Sequence, residues 1–204
     1  MPWTFPSRRL GGSQSVSIPL QSRELVLAVA LTLSAAPAAQ GQAESPSPEY
    51  RAKAAYLLNF TRYVEWPPQA FSAPDTLLTI CTLGKDPFGE ALDLAIRGRR
   101  SQGHSVAVRR LRSSEVAEGC HLVFLTDATW LRRKRLIIGL TLQGILTVGD
   151  SEQFVRYGGG IGFVMIKETV RFVINLNAME RAGLKVSSRL LSLAVALHTK
   201  GPRF

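Results

Sequence analysis

Two hydrophobic periods alternate along the chain from Tyr50 onward, and together they lay out a sheet flanked by helices. Over residues 50–66 the apolar residues Ala54, Leu57, Leu58 and Val64 recur at helical spacing, Tyr56, Phe60 and Tyr63 widen the stripe, and Pro67-Pro68 end it. So much aromatic surface implies burial on more than one side, or an edge open to a partner. Residues 76–83 read as a strand closed by the turn Gly84-Lys85-Asp86, and Pro87 opens a helix running through Phe88, Leu92 and Ile96 to Gly98. Further strands are expected at 105–111, at 120–126, where the near-continuous apolar run suits a central position, and at 144–148. A helix over 128–140, capped by Asp127, separates the last two. Such alternation predicts an α/β domain with a mixed, mainly parallel sheet, helices on both faces and right-handed crossovers.

The period then changes. Runs at 161–166 and 170–176 are separated only by Lys167-Glu168-Thr169, and in the second Val170, Phe172, Ile174 and Leu176 alternate with Arg171, Val173 and Asn175. One face is apolar and the other mixed, so the pair reads as a C-terminal antiparallel hairpin with one buried face. A last helix at 187–198, with Leu190, Leu191, Ala194 and Leu197 on one side, closes the layer. Gly158-Gly159-Gly160 and Gly162 suggest a phosphate-binding turn, but the spacing excludes it. A dinucleotide fingerprint needs glycine where Phe163 stands and a helix where a strand follows, and there is no P-loop pattern either. These glycines are expected to allow a close approach or a bulge at the start of a strand.

The first 43 residues differ in kind. Arg8, Arg9 and Arg23 precede the apolar run 25–36, and Ala36-Pro37-Ala38 or Gly41-Gln42-Ala43 offers the small residues a signal peptidase needs. Residues 1–43 are read as a cleaved export signal, with a disordered tail or an uncleaved anchor as the alternatives. The stretch before Arg23 is long for such a signal, so a start near Val16 is also open. Residues 44–49, with Pro46 and Pro48, form a linker, and 50–204 a single domain. A chain of 204 residues with 46% hydrophobic content suits one full core. No apolar run in the body reaches the roughly 18 residues of a membrane span.

Cleavage would lower the net charge from +10 to +8. The excess sits in Arg97, Arg99 and Arg100 with Arg109, Arg110 and Arg112, and in Arg132-Arg133-Lys134-Arg135. Export makes nucleic acid an unsuitable partner and leaves anionic headgroups, an acidic protein face or plain solvation as readings of these clusters.

Candidate chemistry is sparse. Cys81 and Cys120 lie near the ends of two strands; an exported chain with an even cysteine count favours a bridge, and two buried thiols are the alternative, since parallel neighbours do not automatically bring opposite ends together. His104, His121 and His198 are scattered, and Cys120 and His121 point to opposite faces of a strand, so no zinc site is indicated. Asp86, Asp127 and Asp150 each follow an expected strand, at the sheet edge where ligands bind, and so define a candidate pocket for a divalent ion or small ligand in the manner of a receiver domain. Each is equally suited to capping or turning the chain. No serine-hydrolase pattern occurs, and no cofactor is implied.

Several segments in order resemble the YfiR-like family of periplasmic regulatory proteins: Lys53-Ala54-Ala55-Tyr56-Leu57-Leu58-Asn59-Phe60 with Tyr63-Val64-Glu65-Trp66-Pro67, Ile80 to Gly89, Leu146 to Asp150, Phe154 with Gly158-Gly159 and Ile161, Phe172 to Asn175, and Ala182 to Ser188. The resemblance covers about residues 51–197. It implies an exported, non-enzymatic repressor that binds the periplasmic sensory region of an inner-membrane diguanylate cyclase or similar sensor, with an outer-membrane lipoprotein as a competing partner and a homodimer as a further state. It also implies that Cys81 and Cys120 form one of the family's two disulfides; the second pair has no counterpart here. Arg62 and Trp66 at the end of the first helix, with Leu184, Lys185 and Arg189 near the last, are the candidate partner-binding residues, and burial of Trp66 and Leu184 in the core is the competing reading.

Overall fold

In the computed structural model, which describes residues 46–126 and 134–199, the chain enters its first helix at Ser47, whose hydroxyl oxygen accepts the Tyr50 N–H. This helix, α1 (Pro48–Tyr63), begins with proline, whose missing N–H costs nothing there, and carries Arg62 in its last turn, where a cation offsets the helix dipole. It stops at Tyr63 rather than at 66. Pro67 disfavours helical backbone at Trp66, and Val64–Glu65 (β1) is extended instead. The carbonyls left open at this end are met from a distant segment: the Ser101 hydroxyl donates to Thr61 O at 2.8 Å, and the Gln102 amide donates to Thr61 O and Val64 O.

The strands that follow are β2 (Leu78–Leu83), β3 (Arg100–Ser101), β4 (His104–Leu111), β5 (Leu122–Leu125), β6 (Leu146–Gly149), β7 (Ile161–Ile166), β8 (Thr169–Asn175), β9 (Lys185–Val186) and β10 (Ala196–His198). Between them lie α2 (Glu90–Ile96), α3 (Lys134–Leu142), α4 (Glu152–Arg156), α5 (Leu176–Arg181) and α6 (Ser188–Leu193). Eight strands form one mostly parallel sheet in the order β10-β8-β7-β6-β5-β2-β4-β3, and β1 pairs with β9 in a separate antiparallel ribbon. The α/β expectation holds, with β7 and β8 as the antiparallel hairpin, in the register Phe163↔Phe172.

Strand periodicity sorts the core into two layers. Ile80, Leu122, Phe124, Val148, Phe163 and Phe172 face α1 and α2, where Leu57, Phe60 and Leu92 meet them. Their neighbours Cys81, Val123, Leu125 and Val173 face Ile137 and Leu140 of α3 and Phe154 and Val155 of α4. The glycine-rich stretch serves that second layer. A Cβ on Gly149 would stand 2.3 Å from Cγ of the fully buried Phe154 ring, and one on Gly159 2.1 Å from its Cε1. The close approach expected from the sequence is therefore an aromatic ring laid on the strands, not a phosphate.

Three further boundaries are corrected: α1 starts at Pro48, inside the expected linker, α2 starts at Glu90 rather than at Pro87, and the last helix is shorter than expected. The last helix ends at Leu193 instead of running to His198, because Ala194 turns extended and the following residues join the open edge of β8. Val195 N–H donates to Phe172 O at 3.0 Å, and Ala196, Leu197 and His198 pair in parallel with Val173, Ile174 and Asn175. Ladder hydrogen bonds along an open edge outweigh one more turn of helix. The export signal (1–43), the start of the expected helix at 128–140, Asp127, Arg132 and Arg133 lie outside the described residues. Among the described residues, no helix is long and apolar enough to cross a membrane.

Candidate functional site

Asp86 and Asp150, which follow β2 and β6, are bound by different partners, and Asp127 lies outside the described residues. Asp150 follows β6 and is bound from below by α1: Tyr50 Oη donates to its Oδ2 at 2.7 Å, and the Lys53 ammonium pairs with its Oδ1 and with Glu49. Lys53 is almost entirely buried, at 3% exposure, between the rings of Tyr50 and Phe163 at 4.6 and 5.7 Å. Asp86 serves a different partner. Its Oδ1 accepts the Phe88 N–H at 2.9 Å, closing the turn before α2, and its Oδ2 accepts from Arg110 Nε at 2.6 Å. Arg110 also grips Asp93, and the hydrogen bonds it donates to Asp93 and then Asp86 hold its guanidinium pKa above the ordinary arginine range against a desolvation that works the other way. A cleft of about 380 Å3 beside Tyr50 and Asp86 does not include Asp150. Among the described residues, no three His, Cys, Asp or Glu side chains are placed to hold a metal.

Lys53 was not singled out from the sequence, although a signal was present. It stands three residues after Tyr50 and four before Leu57, inside the apolar stripe of an otherwise well-patterned helix.

The partner-binding candidates divide by burial. Trp66 is 7% exposed and its indole N–H donates to His121 O at 3.2 Å; Leu184 is 5% exposed and belongs to the same core cluster. Both side chains are buried in the core, as the competing reading has it. Arg62, Lys185 and Arg189 are exposed, and the backbone gathers the segments that carry them. β1 and β9 pair Val64 with Val186 and Glu65 with Lys185, and the Ser187 N–H donates to Tyr63 O at 2.9 Å just before Ser187 caps α6. The result is a short ribbon, with basic side chains on α1, β9 and α6, beside a cleft of about 350 Å3 lined by Glu65, Trp66, Pro67, Pro68, Gly183 and Lys185.

A histidine clamp supports this ribbon from the N-terminal edge of the sheet. His121 accepts the Thr79 N–H at Nδ1 (3.2 Å), and its Nε2 lies 3.0 Å from Ala70 O, an arrangement served by a neutral ring with the proton on Nε2. Phe71 stacks between His121 and His104, at 4.7 and 3.9 Å. Burial pushes the His121 pKa below its ordinary value, with a smaller push from His104. On the other layer Cys81 and Cys120 form a disulfide with a Cα–Cα separation of 5.9 Å, so the bridge alternative holds over two buried thiols.

Comparison with known proteins bears on what such a scaffold does. The model of the YfiR/HmsC-like family, a family defined by a domain of unknown function, matches residues 50–195. A conserved domain protein from Vibrio cholerae O1 biovar El Tor is similar at 14% identity over 58% of this chain and 54% of that one, with a TM-score of 0.47. An ABC domain from Streptococcus pneumoniae in complex with L-Trp is similar at 13% identity over 59% of this chain and 56% of that one, with a TM-score of 0.44. The chain thus spans about half the length of these solved structures. Among curated proteins, none matches. The chain belongs to the YfiR/HmsC-like family.

Proposed function

We propose that this member of the YfiR/HmsC-like family is a periplasmic repressor that binds the sensory region of an inner-membrane diguanylate cyclase and holds it in its inactive state. The family match over residues 50–195 carries the reading. The disulfide is consistent with an oxidising compartment, and residues 1–43 act as the cleaved export signal.

Repression requires tighter binding to one state of the target than to the other; each tenfold preference shifts the balance by about 1.4 kcal/mol. The exposed basic residues Arg62, Lys185 and Arg189 around the β1–β9 ribbon supply that recognition, while Trp66 and Leu184 hold the ribbon in place from the core. An outer-membrane lipoprotein competing for the same chain would relieve the repression. Asp86 and Asp150 are committed to Arg110 and Lys53 and so do not serve this surface.

Deleting the gene is expected to raise cellular cyclic di-GMP, and the wild-type gene to restore it. A folded Arg62→Glu/Lys185→Glu/Arg189→Glu variant is expected to fail at that restoration. Full restoration by the variant would reject the surface, and unchanged cyclic di-GMP on deletion would reject the repressor role.

A further inference from the structure

The sheet ends, at the side away from β10, on a strand that is only partly covered. β3 pairs with His104 and Ser105 of β4, and Arg99 O accepts the Val106 N–H at 3.1 Å. Leu111 O accepts the Gly84 N–H from the β2 side, so Leu111, Arg109 and Ala107 turn their backbone groups toward β2, as the parallel register with β2 requires. Val106, Val108 and Arg110 therefore turn theirs outward. Beyond Val106, no strand among the described residues covers this edge.

Arginines surround the open stretch. Arg97, Arg99 and Arg100 lie at one end, Arg109 along it and Arg112 just past the other, all exposed. Among the described residues none of the five has a carboxylate at ion-pair distance, in contrast to Arg110, which Asp86 and Asp93 occupy. Open main-chain groups accept any strand; the charge selects which. A second copy of this chain brings the same arginines and is repelled, whereas a strand rich in carboxylates is attracted.

We propose that the outer edge of β4 is a docking site for an acidic, extended protein segment, which adds to the sheet beside Val108 and Arg110 and sets its carboxylates against Arg99, Arg109 and Arg112. This site lies at the opposite end of the sheet order from β8 and β10 and stands independently of the repressor reading.

The test is fluorescence anisotropy of the purified protein with a labelled, end-blocked peptide, Thr-Glu-Val-Glu-Val-Glu-Val-Glu-Thr, at low salt. Saturable binding is expected, weakened by about tenfold or more when alternate peptide amides are N-methylated, a change that removes strand hydrogen bonds and keeps every charge. Arg99→Glu with Arg112→Glu is expected to weaken it by a similar factor, and the exposed pair Arg171→Glu with Arg181→Glu, which changes net charge equally, to leave it within about twofold. Absence of binding, equal binding of the N-methylated peptide, or equal loss in both double variants would overturn the proposal. So would phosphatidylglycerol vesicles binding through the same arginines while the peptide does not.

Discussion

Replacing Asp150 by alanine separates a structural carboxylate from a ligand-binding one. Lys53 is 3% exposed and is held by Asp150 and by Glu49, which is itself 39% exposed. Losing Asp150 leaves a buried ammonium with one half-solvated counter-ion and removes the acceptor of the Tyr50 hydroxyl. Breaking a buried ion pair from one side costs about 3–5 kcal/mol. Because Glu49 still reaches the ammonium, the lower end, about 3 kcal/mol, applies, and for a domain of this size that lowers Tm by about 6–12 °C. Urea unfolding at pH 7 measures the loss directly. The companion variant Lys53→Met with Asp150→Ala removes both charges and is expected to recover to within about 1 kcal/mol of the wild type, since burying an apolar side chain there is no worse than burying a pair. A loss below about 1 kcal/mol in Asp150→Ala, or a double variant as damaged as the single, would refute the counter-ion assignment and return Asp150 to the ligand-binding reading.

Three further outcomes follow from the packing. The disulfide closes a separation of 39 residues, so Cys81→Ala with Cys120→Ala is expected to cost about 4 kcal/mol in urea unfolding, and a loss under about 1 kcal/mol would contradict this. Gly159→Ala drives a Cβ into the Phe154 ring and is expected to cost about 1–3 kcal/mol by the same assay, whereas an unchanged midpoint would mean that the ring moves freely. Burial lowers the His121 pKa from 6.5 in the folded protein, so below about pH 6.5 the unfolded chain binds the extra proton more readily. Stability contributed by His121 is therefore complete above that pH and is lost as pH falls below it; a pH series of unfolding midpoints should show this slope, and His121→Gln should flatten it.

The sequence carried the sheet and its hairpin because their signals are local. Alternation in Val170–Asn175 and the apolar run in Leu122–Leu125 decide burial whatever their neighbours do. The end of the chain was misjudged because Leu190, Leu191, Ala194 and Leu197 fit a helical face, and only the unfilled edge of β8, a tertiary fact, turns Ala196–His198 into a strand. The same holds for Asp86 and Asp150. Strand-end position was legible, but the choice between a shared pocket and separate ion pairs depended on where α1 delivers Lys53 and where β4 delivers Arg110. Trp66 and Leu184 were legible as candidates for partner binding or for the core, and chain order could not decide between the two because the pairing of β1 with β9 is a tertiary fact.

The proposed repression rests on recognition of the periplasmic region of an inner-membrane cyclase through the β1–β9 ribbon. The most direct measurement is the affinity of the purified protein for the isolated periplasmic region of the cyclase whose output rises on gene deletion. Saturable binding with Kd at or below about 1 μM is expected, weakened by about tenfold or more in Arg62→Glu/Lys185→Glu/Arg189→Glu. Two folded proteins that show no saturable binding would contradict it.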